Sequence, residues 1–143
     1  MNSIVYAYRR RPASSLAVRP TVYNGSDMEL FTWDSMPKEQ LNELIGRKII
    51  SGEKAMVAQV FIAKGGVVPE HHHEAEQISY IMEGALQFHI EGKELVVGKG
   101  QVLVIPSNVP HSAVALEDTL DLDIFSPIRY DWLNKTDDYL RKK

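Results

Sequence analysis

Gly65-Gly66-Val67-Val68-Pro69-Glu70-His71-His72-His73-Glu74-Ala75-Glu76-Gln77-Ile78-Ser79-Tyr80-Ile81-Met82-Glu83-Gly84 is the stretch on which the fold turns. Side chains alternate faces along an extended chain, so His71 and His73 project together while His72 points the other way. Two parallel imidazoles offer a pair of metal ligands. Gln77 opens the next β-rich run, and its amide oxygen is an acceptable neutral donor beside imidazole nitrogen, which suits zinc, copper, iron and nickel. Taken alone, three histidines among Glu70, Glu74 and Glu76 read equally well as a solvated run.

The same short, β-rich texture extends on both sides. Ala55–Ile62, Gln77–Met82, Leu86–Ile90, Glu94–Val97, Val102–Ile105, Ser112–Leu116 and Leu120–Phe125 are separated by Gly65-Gly66, Glu83-Gly84, Glu91-Gly92, Gly98-Lys99-Gly100, Pro106 with Pro110, and Glu117-Asp118. Many short strands with no helices between them predict an antiparallel sandwich or barrel. Upstream, Asp34-Ser35-Met36-Pro37 followed by Lys38–Leu44 predicts a short capped helix ended by Gly46. Downstream, Tyr130–Arg141 predicts one last helix with Trp132, Leu133, Tyr139 and Leu140 as its apolar contacts. Residues 1–27 read as an irregular arm and 28–143 as a single domain.

Composition narrows the function. The chain has 143 residues and a formal net charge of −3, so nothing pulls it toward phosphate backbones or anionic lipid. It has no cysteine, which excludes disulfides, thiolate metal sites and cysteine nucleophiles. No apolar run approaches the roughly 20 residues that span a bilayer. Arg9-Arg10-Arg11 is followed by Pro12-Ala13-Ser14-Ser15 rather than an apolar core, so a cytoplasmic protein is expected.

A fourth histidine joins the pair. His111 follows the turn Pro106-Ser107-Asn108-Val109-Pro110, which can re-aim a strand toward His71 and His73. His72 and His89 read as surface or packing histidines. Here the residues resemble the cupins. Gly65, His71, His73, Gln77 and Gly84 fit the first cupin motif, with Glu76 too near His73 to be its acid. Gly100, Pro106 and His111 fit most of the second motif, at 100–115. The 15 residues between Gly84 and Gly100 match the inter-motif loop of small single-domain members. The likeness covers about 47–126 and implies an all-β, jelly-roll barrel. It also implies a divalent transition metal (Ni, Zn, Fe or Mn) on His71, His73, Gln77 and His111. Three departures stand out. Gln77 replaces the usual glutamate, Asn108 a glycine and Ala115 an asparagine. Glutamine keeps the donor oxygen but leaves the full charge on the ion, which favours an anionic oxygen bound to it.

Thr119–Phe125 alternates cleanly. Leu120, Leu122 and Ile124 form an apolar face expected to pack between sheets. Asp121, Asp123 and Phe125 form the other, which would turn Asp123 and Phe125 toward the lumen or its mouth. Asp123 there is a candidate general base, and Arg129 a candidate clamp for a carboxylate. An edge strand with solvated aspartates and a surface arginine fits the spacing equally. The ligand set with Asp-x-Phe-x-x-x-Arg resembles the small cupins of pectin and alginate breakdown that linearise unsaturated uronates. That resemblance implies Asp123, Phe125 and Arg129 around a small carboxylated substrate, and a homodimer. A metal-dependent dioxygenase and a non-catalytic sugar-binding cupin are the competing readings.

Overall fold

The computed structural model describes residues 21–22 and 28–141, so most of the expected arm lies outside the described residues. All seven β-rich runs are strands. In chain order these and the remaining strands are β1 (Thr21–Val22), β2 (Glu29–Leu30), β3 (Glu39–Gln40), β4 (Ile45–Ser51), β5 (Met56–Ile62), β6 (Val67–His71), β7 (Glu76–Glu83), β8 (Ala85–Ile90), β9 (Lys93–Gly98), β10 (Val102–Ile105), β11 (His111–Ala115) and β12 (Thr119–Ser126). Every pairing is antiparallel. One sheet runs β10-β7-β12-β5-β4-β3 and the other β6-β11-β8-β9, the two halves of a jelly-roll barrel. Gly84 makes the tight passage from β7 to β8 at φ +88°, where a Cβ would stand 2.4 Å from the Asp118 carbonyl oxygen.

Register sorts the faces. The inner rows of the larger sheet join Ile105, Gln77, Phe125 and Met56, then Leu103, Ser79, Asp123 and Ala58, then Ile81, Asp121, Val60 and Arg47. The leucine face of β12 is therefore the outer one. Leu120, Leu122 and Ile124 do not pack between the sheets, because the inner positions belong to Asp121, Asp123 and Phe125, all buried. An outer row joins Val104, Ile78, Ile124, Val57 and Ile50 across the sheet.

The expected helix at Lys38–Leu44 does not form. Among the described residues before the barrel, a three-residue 3-10 turn, Trp33–Ser35, is the helical piece, and the chain then enters β3. Asn42 explains the difference. Its Oδ1 accepts from the backbone N–H of Leu44 (2.8 Å) and Ile45 (3.0 Å), offering the chain a turn in place of a helix. Beyond β12, the single C-terminal helix expected is broken in two. Helix α1 (Tyr130–Leu133) and a 3-10 turn (Asp138–Leu140) are separated by Lys135 at φ +60°.

Asp137 makes that break useful. Its Oδ2 takes a 2.6 Å bond from Arg47, and both side chains are fully buried. Arg47 also reaches Glu39 (3.3 Å) and lies 4.3 Å over the Trp132 ring, while Arg141 bridges Asp137 and Glu39. These bonds tie the C-terminal segment to β3 and β4, and Asp138–Leu140 lies against β6. The segment thus caps the barrel from one sheet to the other. Arg47→Met removes the buried cation and leaves Asp137 with the half-exposed Arg141 alone; we expect a loss of about 3 kcal/mol. Urea denaturation measures it, and an unchanged midpoint would show that the ion pair does not hold the cap.

Candidate metal centre

Strand pairing brings the first two histidines together. His111 opens β11 directly opposite His71 at the end of β6, and their ring centroids are 4.4 Å apart. His73 lies just past β6, 5.4 Å from His71 and 5.1 Å from His111 by ring centroid. Its loop is held by the Asn108 N–H, which donates to the His73 carbonyl (2.8 Å). Asn108 sits at φ +64°, so asparagine replaces the motif's glycine in the left-handed region it tolerates best after glycine. Gln77 comes from β7 on the other sheet. One ligand atom from each of the three imidazoles falls within 4.8 Å of the others. His72 and His89 are exposed, as expected.

The hydrogen bonds fix which ring atoms face inward. Nδ1 of His71 lies 2.8 Å from the Pro69 carbonyl, Nδ1 of His73 2.9 Å from that of Ala75, and Nδ1 of His111 2.8 Å from that of Val109. A carbonyl only accepts, so each Nδ1 carries the proton and each Nε2 presents a lone pair. Gln77 is oriented by its Nε2–H, which donates to Ser79 Oγ (2.9 Å) and turns Oε1 toward the rings. Oε1 then stands 3.1 Å from His73 Nε2, acceptor against acceptor. His111 Nε2 is buried with no partner. A cation at this point satisfies all these atoms together, so the donor set fits a divalent metal ion.

Burial keeps the imidazoles neutral. It lowers His71 to about 3 against the help of the Pro69 carbonyl, with the His111 and Arg129 charges adding to it. His73 falls to about 4, from burial and then Arg129, and His111 is also lowered, chiefly by burial. Neutral imidazole is the form that binds metal.

Asp123 stands beside the donors. Ser79 Oγ donates to its Oδ1 (2.7 Å), so a relay of Gln77, Ser79 and Asp123 links donor oxygen to carboxylate. Burial raises the Asp123 carboxyl, against hydrogen bonds from Asp121, Ser79 and Gln77 and the Arg129 charge. Phe125 packs edge-on to His73 (5.7 Å) and to Trp132 (5.0 Å). The Arg129 guanidinium lies 5.1 Å over Phe125 and 5.0 Å over Trp132. Its Nε and Nη2 already hold Asp131, at 2.9 and 2.8 Å, and Nη2 also meets the Tyr139 hydroxyl (2.8 Å). Nη1 is buried and without a partner. The fork expected for a ligand is therefore half taken, and Nη1 is the remaining donor.

The cap supplies residues that the sequence did not single out for the site. Tyr139 stacks on His71 at 4.2 Å, and Trp132 Nε1 donates to its hydroxyl (3.2 Å). Tyr139 carries no local signal, since its place depends on the Arg47–Asp137 pair far away in sequence. Ser79 and Asp121 were legible by alternation, two residues from Gln77 and Asp123. His71, Gln77, His111, Asp121, Asp123, Phe125, Arg129, Trp132 and Tyr139 all line one cavity of about 40 Å³, enough for an ion and little water.

The chemistry also sets a pH profile. An imidazole held neutral in the folded chain protonates at about 6.5 once unfolded, so the unfolded state takes up protons first as pH falls. Chelator-treated protein should therefore lose stability steadily from about pH 6.5 toward pH 3 to 4. Urea midpoints read across that range test it, and a profile flat between pH 7 and 4 contradicts the burial argument.

Comparison with known proteins agrees with this architecture. The Cupin_2 family model, a cupin domain, matches residues 58–126. The pectin degradation protein KdgF of Dickeya dadantii (strain 3937) is 35% identical over 106 residues, covering 72% of this chain and 96% of that protein. The structure of KdgF from a Halomonas species superposes with a TM-score of 0.69 at 34% identity, covering 73% of this chain and 99% of the other. An RmlC-like cupin from Shewanella frigidimarina shares the fold at 24% identity and a TM-score of 0.70, covering 74% and 96%. With a cupin domain matched over residues 58–126 and a KdgF protein 35% identical along most of the chain, the chain belongs to the cupin family.

Proposed function

We propose that this cupin is a metal-dependent enzyme that opens a 4,5-unsaturated uronate to its linear keto form. The observation that carries the reading is the convergence of three Nε2 lone pairs and one amide oxygen beside a buried carboxyl and an unpartnered guanidinium N–H. Identity of 35% with a pectin degradation protein points to the same substrate class. His71, His73, Gln77 and His111 would hold the ion, with nickel, zinc, iron and manganese all compatible with the donor set. When bound, the ion supplies positive charge for an oxygen that becomes anionic.

The chain's own groups account for the proton. Linearisation moves one proton from the C1 hydroxyl to C4, with no change in composition. The C1–O5 bond breaks to leave an aldehyde at C1, O5 departs as an enolate on C5, and protonation at C4 gives the ketone. Asp123, with its basicity raised by burial, takes the hydroxyl proton and returns it. Arg129 Nη1 meets the substrate carboxylate, while Asp131 and Tyr139 hold the guanidinium beside the Phe125 and Trp132 rings. Trp132 and Tyr139 of the C-terminal segment line the same cavity and would flank the bound ring.

The test follows the conjugated-alkene absorbance of a 4,5-unsaturated galacturonate with metal-loaded protein and a chelated control. Chelator-sensitive loss is expected, falling about 100-fold or more in Asp123→Asn. Gln77→Glu should keep the metal yet lose at least about tenfold in rate, because it removes a unit of positive charge from the centre. No loss above the chelated control overturns the uronate reading, and a fully active Gln77→Glu overturns the charge argument.

The reading includes a homodimer formed through the outer face of the larger sheet. Tyr80, Met82, Val102, Val104 and Ile124 are exposed there, an apolar face of the kind that marks interaction sites. Sedimentation velocity should give a dimer that Val104→Asp converts to a monomer; a wild-type monomer contradicts it. Among the described residues, no helix is long and apolar enough to cross a membrane, and we place the enzyme in the cytoplasm.

A further inference from the structure

Among the described residues, three buried polar atoms around the central cavity have no partner: His111 Nε2, Arg129 Nη1 and Asp121 Oδ1. The first is met by a metal ion and the second by a carboxylate. Asp121 has no part in the chemistry above. It is nevertheless on the inner face of β12, two residues and therefore about 7 Å deeper along the strand than Asp123, opposite Val60 on β5 and Ile81 on β7. Its exposure is 3%, and the surrounding cavity wall is Val60, Ile62, Leu86 and Phe88. An aliphatic residue would fill this place at lower cost, since a buried carboxyl with an unmet oxygen forfeits its hydration without recompense.

We propose that Asp121 is a specificity-determining residue that accepts a hydrogen bond from a ligand hydroxyl at the floor of the cavity. Its state follows from its neighbours. Burial, then the adjacent Asp123 charge and the hydrogen bond between the two, hold the Asp121 carboxyl well above the ordinary range. Asp121 is thus a neutral acid whose O–H donates to Asp123 while Oδ1 stays free to accept. Among the described residues neither arginine of the interior serves it, because Arg47 is spent on Asp137 and Glu39 and Arg129 on Asp131 and Tyr139. The three unmet atoms then describe one ligand: an anionic oxygen near the metal and Arg129, and a hydroxyl-bearing ring reaching inward. A polyhydroxylated carboxylate has this polarity, whereas a plain carboxylate leaves Asp121 unanswered. The inference rests on the uronate reading for its ligand class, but not on turnover.

The test measures binding by calorimetry on metal-loaded protein with two unreactive probes. D-galacturonate carries ring hydroxyls, and tetrahydropyran-2-carboxylate has the same ring and carboxylate without them. Wild type should prefer galacturonate by tenfold or more. Asp121→Asn keeps both a donor to Asp123 and an acceptor, and should retain the preference within about threefold. Asp121→Leu should abolish it, weakening galacturonate about tenfold and leaving the bare ring acid within twofold. Asp121→Leu should also melt no lower than wild type, which separates ligand reading from a structural role. The proposal is overturned if wild type binds both probes equally or neither, if Asp121→Asn behaves as Asp121→Leu, or if Asp121→Leu keeps the preference, which would assign Oδ1 to a structural water. A preserved pattern with no turnover of unsaturated uronate would sink the enzymatic reading and leave this one standing.

Discussion

Three hydrogen bonds from imidazole Nδ1 to backbone carbonyls set the character of this molecule. Each bond of His71, His73 and His111 spends the ring's one proton on the wall of the barrel and turns a lone pair inward. Lone pairs repel one another, and the Gln77 oxygen adds a fourth acceptor at 3.1 Å from His73. Such a cluster is costly unless a cation joins it. The rest of the fold serves the cluster. The pairing of β6 with β11 sets two rings side by side, the left-handed Asn108 fixes the loop of the third, and Ser79 points the amide.

The second constraint is the C-terminal cap. Its chain is anchored by a buried ion pair at the β3–β4 edge of the larger sheet, and it delivers Arg129, Trp132 and Tyr139 to the mouth of the barrel. Arg129 is held on two sides by Asp131 and Tyr139, leaving the Nη1 amino group for a ligand. Positioning an arginine by its other edges is a form of preorganisation, because the guanidinium need not search for its place when the anion arrives. The same anchoring sets Trp132 and Tyr139 in the cavity wall.

How much of this was written in the sequence depends on the range over which each feature is decided. Alternation along His71–His73 and along Asp121–Phe125 is local, and it sorted the side chains into two faces without deciding which face of β12 packs between the sheets. The glycines at 65, 84 and 100 and the prolines near His111 punctuate strands whose pairing then follows from the barrel. The helix expected at Lys38–Leu44 failed because Asn42 closes a turn with its own side chain, and because Glu39 joins Arg47 and Arg141, partners set by tertiary structure. The leucine face of β12 was placed inward on hydrophobicity alone. In a barrel whose lumen holds a polar site, the apolar side is left for the outside. Tyr139 had no local signature, since its segment is anchored by a salt bridge spanning residues 47 and 137, whereas the fork of Arg129 is taken by Asp131 only two residues on.

The account stands or falls on what the inward lone pairs hold. X-ray absorption at the zinc edge of zinc-loaded protein reads that shell directly. We predict three imidazole nitrogens and one oxygen as the protein donors at about 2.0–2.2 Å, with one imidazole lost in His111→Ala. A shell with fewer than two imidazoles, or one unchanged in His111→Ala, would contradict the account.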